Sequence, residues 1–92
     1  GALNTMTKSM ARNLGPIRVN AICPGFIQGE WLKNGMGEDL YNAAKENLTN
    51  STPLKLTVTP EQVAEGIYSF IDVNKVVTGE TMLMDGGHHL II

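Results

Sequence analysis

The sequence predicts an α/β fold built on a parallel sheet, and three features carry that expectation. Ile17 to Ile22 is a short apolar run, β-branched at Ile17, Val19 and Ile22, that stops on Pro24-Gly25. A second run, Glu80 to Met84, stops on Asp85-Gly86-Gly87. The long segment between them has helical patterning, and two strands joined through helices describe a parallel crossover unit. In open sheets of this kind ligands gather beyond the carboxyl ends of the strands, where the backbone turns away and leaves amides unpaired. Cofactor chemistry is therefore the first functional expectation.

Each element has a local cause. Ala2 to Leu14 carries apolar side chains at Leu3, Met6, Met10, Ala11 and Leu14, a helical stripe closed by Gly15-Pro16. Its start has no Ser, Thr, Asp or Asn to cap it, so the helix reads as having begun earlier. Ile17 to Ile22 is apolar on both faces, as a strand covered by helices on both sides should be. Pro24 lacks the amide that would continue a ladder. Phe26 to Gly37, with Gly29, Gly35 and Gly37, reads as a loop with at most a short helical turn. Glu38 to Leu48 is amphipathic through Leu40, Tyr41, Ala44 and Leu48, with acids in its first turn. Thr49 to Val58 reads as a polar connection. Thr59-Pro60-Glu61-Gln62 is a strong helix start, with a capping Thr, Pro at the first helical position and Gln to close a capping box. That helix runs to about Asp72, a turn follows over Asn74 to Gly79, and the second strand ends the unit.

Composition narrows the class. The 92 residues are 42% hydrophobic and 17% charged, with a net charge of −2. The seven Lys and Arg are scattered, which argues against a nucleic-acid surface. No apolar stretch is long enough to span a bilayer, so no membrane role is expected. Cys23 is the single cysteine, which fits a reduced, cytoplasmic setting and a small packed side chain better than a nucleophile. His88-His89 lacks the ligand spacing of a metal site, so no metal is expected. Two parallel strands leave an apolar edge unpaired, so residues 1–92 read as the incomplete C-terminal portion of one larger domain.

Taken in order, these motifs resemble the short-chain dehydrogenase/reductase family. Gly1 to Arg12 is similar to the helix that follows that family's Tyr-x-x-x-Lys pair. Ile17-Arg18-Val19-Asn20 with Pro24-Gly25 resembles its sixth strand and cofactor-side loop. Thr52-Pro53-Leu54 and Pro60-Glu61-Gln62-Val63-Ala64 resemble the return into its last large helix. Thr78-Gly79-Glu80 through Asp85-Gly86-Gly87 resembles its seventh strand. The resemblance implies the last two strands and the helices of a Rossmann-like, doubly wound parallel sheet. It also implies an NAD(P)-dependent oxidoreductase passing a hydride between a nicotinamide and a small carbonyl or alcohol substrate, assembled as a homodimer or homotetramer.

By the same resemblance Pro24, Gly25, Phe26, Ile27 and Gly29 are the cofactor-facing residues, and no catalytic residue is assigned within these 92. The family's phosphate loop, catalytic Ser, Tyr and Lys would all lie upstream. Gly29 stands where the family pattern has Thr, which removes a hydroxyl contact. Gly25, having no Cβ, should let a flat ring approach the backbone. Trp31, Leu32 and Met36 fall in the family's variable substrate lid, where they either face a hydrophobic substrate body or pack the lid onto the domain. Tyr41 and Lys45 imitate the catalytic spacing but lie on the wrong side of the loop; Tyr41 is expected to be half-buried packing. Asn20 is expected to bond neighbouring backbone. Two rivals stand beside the enzyme: a non-catalytic family member kept for binding or assembly, and a free-standing βαβ peptide.

Overall fold

A computed structural model describes all 92 residues. Two strands, β1 (Ala21–Pro24) and β2 (Thr81–Met84), pair in parallel, with Ala21 opposite Thr81 and Pro24 opposite Met84. Helices α1 (Ala2–Asn13), α2 (Glu30–Met36), α3 (Glu38–Ser51) and α4 (Pro60–Tyr68) surround them. A π-helical turn, Ser69–Val73, prolongs α4, and a 3-10 turn, His88–Leu90, follows β2. The α/β class, the parallel pairing and the crossover match the expectation.

The first strand is shorter than its apolar run. It begins at Ala21, and Ile17 is 64% exposed where burial on both faces was expected. Before the strand begins, side chains join backbone in the bonding across the sheet, beside the Gly79 amide donating to the Val19 carbonyl at 2.8 Å. The Val19 amide donates to the Thr78 hydroxyl at 3.0 Å. Asn20 donates through Nδ2 to the Val77 carbonyl at 3.0 Å and accepts the Glu80 amide on Oδ1 at 3.1 Å. Asn20 thus bonds backbone, as expected, and one amide side chain holds both ends of the turn entering β2.

Two helical segments exceed the expectation. The stretch after Gly29 forms the seven-residue α2, because Glu30 to Lys33 are acceptable helix formers and glycines flank them at both ends. Helix α3 runs to Ser51, with Thr49 donating its hydroxyl back to the Lys45 carbonyl at 2.7 Å. It stops at Thr52, which is extended because it precedes Pro53. At α4 the expected capping box is present: Thr59 Oγ1 accepts the Gln62 amide at 3.1 Å, and Gln62 Oε1 accepts the Thr59 amide at 2.9 Å. At its far end the Arg18 guanidinium donates to the carbonyls of Phe70, Ile71 and Asn74. Those groups have no partner in the helix itself.

Only seven of the 92 residues are buried, too few for a continuous apolar core. Thr7 and Ala11 are the buried positions of α1, which contacts β1. Gly66 brings α4 onto the side chains of Met84 and Met82. The remaining burial is gathered beyond the strand ends, at Tyr41, Thr52, Thr57 and Val58. Thr7 and Thr52 satisfy their hydroxyls locally, on the Leu3 carbonyl at 2.7 Å and on both backbone groups of Leu56 at 3.2 Å. Replacing Asn20 with Ala would leave two backbone groups without partners. Urea unfolding of the protein carrying it is expected to show a loss of about 1–3 kcal/mol.

Candidate functional site at the strand ends

The two strands end side by side, and the chain is tightest there. The Gly25 amide donates to the Met84 carbonyl at 3.0 Å. A Cβ on Gly25 would sit 2.9 Å from Asp85 Cβ and 3.0 Å from Asp85 Cα. The missing Cβ of Gly25 is what admits Asp85. The constraint is space, since the backbone of Gly25 is not in the left-handed region.

Beyond Gly25 the chain stays extended and pairs with a segment before α4. Val58 donates its amide to Phe26 at 2.9 Å, and Gln28 donates its amide to the Val58 carbonyl at 2.7 Å. This is a parallel bridge centred on Ile27. In such a bridge the central residue's own N–H and C=O point to the other side, and those of Ile27 make no bond within the chain. Gln28 is held as well, its Nε2 donating to Thr57 Oγ1 at 2.8 Å. At Gly29 the backbone has φ 155° and ψ 166°, a conformation open almost only to glycine. The Gly29 amide donates to the Tyr41 hydroxyl at 3.0 Å.

Tyr41 is 7% exposed, and its ring lies 5.3 Å from that of Phe26 at a tilt of 43°. It is a buttress behind the loop. Its resemblance to a catalytic Tyr ends at the spacing to Lys45, as expected, although it is more deeply buried than half.

A concavity of about 450 Å³ opens on the other side, walled by Gly25, Phe26, Ile27 and Gly29 and flanked by Trp31 and Pro60. Four of the five expected cofactor-facing residues are therefore brought together. Pro24 is the exception: it does not line the concavity and closes the β1–β2 pairing instead. Trp31 is 87% exposed on α2, and Leu32 lines the same hollow. Met36 is not among its lining residues. Glu30 is the sole charged residue on the walls, so the site suits a largely apolar, planar guest.

The C-terminal turn backs this site. Asp85 accepts the amides of Gly87 and His89, each at 3.0 Å, and lies 2.9 Å from His89 Nδ1. Burial alone would raise the Asp85 carboxyl. The hydrogen bond from the His89 ring, the two amides and the His89 charge outweigh it and hold Asp85 below its ordinary 3.8. Cys23 is half-buried in β1. No three His, Cys, Asp or Glu side chains stand close enough together to hold a metal ion. No helix is long and apolar enough to cross a membrane.

Some of the relations in this assembly are not marked by the sequence. The Gly25–Asp85 approach joins two turns far apart in the chain, each ordinary alone. Pro60 reads as a helix start and Gln28 as a loop polar residue, and only the bridge between Ile27 and Val58 brings both to the site.

A family model described as enoyl-(acyl carrier protein) reductase matches residues 1–89. The chain belongs to the short-chain dehydrogenase/reductase family, and its sheet is part of a Rossmann-like fold. Among curated relatives, a 3-oxoacyl-[acyl-carrier-protein] reductase of Thermotoga maritima is 39% identical over 89% of this chain and 32% of its own. An NADH-dependent enoyl-[acyl-carrier-protein] reductase of Bacillus cereus is 34% identical over 98% of this chain and 35% of its own. A solved small-chain dehydrogenase in complex with NADPH superposes with TM-score 0.86 at 34% identity, covering 97% of this chain and 40% of that one. The chain spans about a third of the length of the curated relatives it matches.

Two outcomes follow from the geometry. Gly25→Ala is expected to destabilise the protein by about 1–3 kcal/mol, because the added methyl meets backbone as well as side chain; thermal or urea unfolding checks it. Asp85 is held below its ordinary value, so its contribution is complete above that value and drains away as pH falls through the folded-state one. An acid titration of unfolding should show the stability gap between the parent and Asp85→Asn closing below pH 3.8.

Proposed function

We propose that this chain is the C-terminal portion of a single NAD(P)-binding domain, supplying the nicotinamide-side wall of an oxidoreductase. The observation that carries this reading is Ile27, which lines the concavity and whose N–H and C=O make no bond within the chain. One donor and one acceptor at adjacent backbone positions fit a carboxamide, which offers the complementary pair. The fit extends to the walls: Phe26 and the Ile27 side chain are apolar, and Gly29 leaves its Cβ position open. A bound nicotinamide would supply or accept the hydride, exchanged with a carbonyl or alcohol carbon of a small substrate.

The chain's own residues hold and shield. The Ile27 backbone fixes the ring's rotation, Tyr41 and Phe26 keep the loop from yielding, and Trp31 and Leu32 keep water from one side of the hollow. The apolar lid favours a substrate with a hydrophobic body, in keeping with the acyl reductases among the relatives. The cofactor is NAD or NADP. We further assign the exposed face of α1, with Leu3, Met6 and Met10, to a homodimer or homotetramer contact. A full-length protein that scatters light as a stable monomer would remove that assignment.

Fluorescence titration with NADH and NADPH tests the main reading. Saturable binding is expected for the full-length protein and none for residues 1–92 alone, which lack a phosphate-binding half. Absence of binding by the full-length protein would overturn it. Ile27→Pro is the local test, because it deletes an N–H that the fold does not use. Cofactor binding is expected to weaken roughly 3- to 10-fold, the worth of one neutral hydrogen bond, with the unfolding midpoint little changed.

A further inference from the structure

A second, smaller cavity of about 30 Å³ is lined by Gly25, Phe26, Thr52, Thr57, Asp85 and His88 among others. His88 presents its Nδ1 as a fully buried atom with no hydrogen-bond partner in the chain. Thr57 lines the same cavity and is 6% exposed. Its hydroxyl accepts from Gln28 Nε2 at 2.8 Å, and its own proton has no acceptor among the chain's hydrogen bonds. The Thr52 hydroxyl, by contrast, is engaged with both backbone groups of Leu56.

Buried polar atoms are rarely left without partners, and one that is costs free energy comparable to a lost hydrogen bond. A purely apolar void of this size would stay dry. This one counts Thr52, Thr57, Asp85 and His88 among its lining residues, beside Phe26, Leu48, Leu56 and Val58. Its volume exceeds the roughly 10–15 Å³ that one water needs. We propose that the cavity is a binding site for a single internal water, which accepts the Thr57 hydroxyl proton and donates to His88 Nδ1. The proton count then assigns the remaining imidazole proton to Nε2. Asp85, on the same wall, offers an acceptor for the second water proton. Such a water would tie together two segments distant in sequence, the stretch before α4 and the turn after β2.

The test of this site does not use the cofactor. A high-resolution crystal structure of the full-length protein is expected to show one density peak within hydrogen-bonding distance of both His88 Nδ1 and Thr57 Oγ1. A dry cavity, or His88 bonded directly to a protein atom, would overturn the proposal. A double-mutant cycle supplies the energetic arm: with Thr57→Val and His88→Phe, the combined loss should be no greater than that of the more damaging single change. Strict additivity would also overturn it. His88→Asn places an amide oxygen near the position of Nδ1 and is expected to retain the peak. Should the other variants fail to fold, the imidazole ¹⁵N spectrum of the parent decides between the two cases. An Nδ1 shifted as a hydrogen-bonded acceptor supports the water, and an unshifted one excludes it.

Discussion

The backbone of Gly25 lies against Cα and Cβ of Asp85, and that approach sets the spacing of everything beyond the strands. Pairing between β1 and β2 is only four residues long, which by itself fixes little. What keeps the two chain segments side by side past the last ladder bond is the absence of a side chain at one position. The loop that follows β1 is thereby laid over the turn that follows β2. Phe26, Ile27 and Gly29 then take their places on one side, and the Asp85–His89 turn takes its place on the other.

From that junction outward the structure is held by polar groups used in place of apolar volume. Asn20, Thr78, Thr57, Gln28 and Tyr41 each bond backbone or one another where a longer sheet would have supplied ladder bonds. Arg18 does the same for the end of α4. The two sides of the Ile27 segment divide the work. The neighbours' amide and carbonyl satisfy the fold, and its own make no bond within the chain. This division lets a loop be rigid and still present free hydrogen-bonding groups, which a fully paired strand cannot do.

Much of this was legible in the residues, and what was not has a physical reason. The capping box at Thr59 and Gln62, the two strand stops and the polar role of Asn20 are set by neighbours close in sequence, so their cause is visible locally. The extent of β1 was not, because whether Ile17 to Asn20 join the ladder is decided by Thr78 and Val77 across the sheet. Helix α2 was hidden by glycines that cap it but read as loop residues. For the site, the resemblance found the loop and four of its wall residues. The Gly25–Asp85 approach was not legible, since a clash of this kind depends on how two distant turns meet. Pro24, named with the same loop, pairs opposite Met84 and does not line the concavity.

Position 29 has a consequence for how this chain can change. The family pattern carries Thr there, and a return to Thr reads as a one-step recovery of a hydroxyl. The backbone at φ 155° closes that route. A residue with a Cβ would have to rotate out of this conformation, and the amide that reaches Tyr41 would rotate with it. Trp31 and Leu32, carried on the helix that Gly29 begins, would shift in turn. Glycine at 29 and the placement of the short helix are thus locked together: neither can change alone, and the hydroxyl is recoverable only after the segment behind it has been rebuilt.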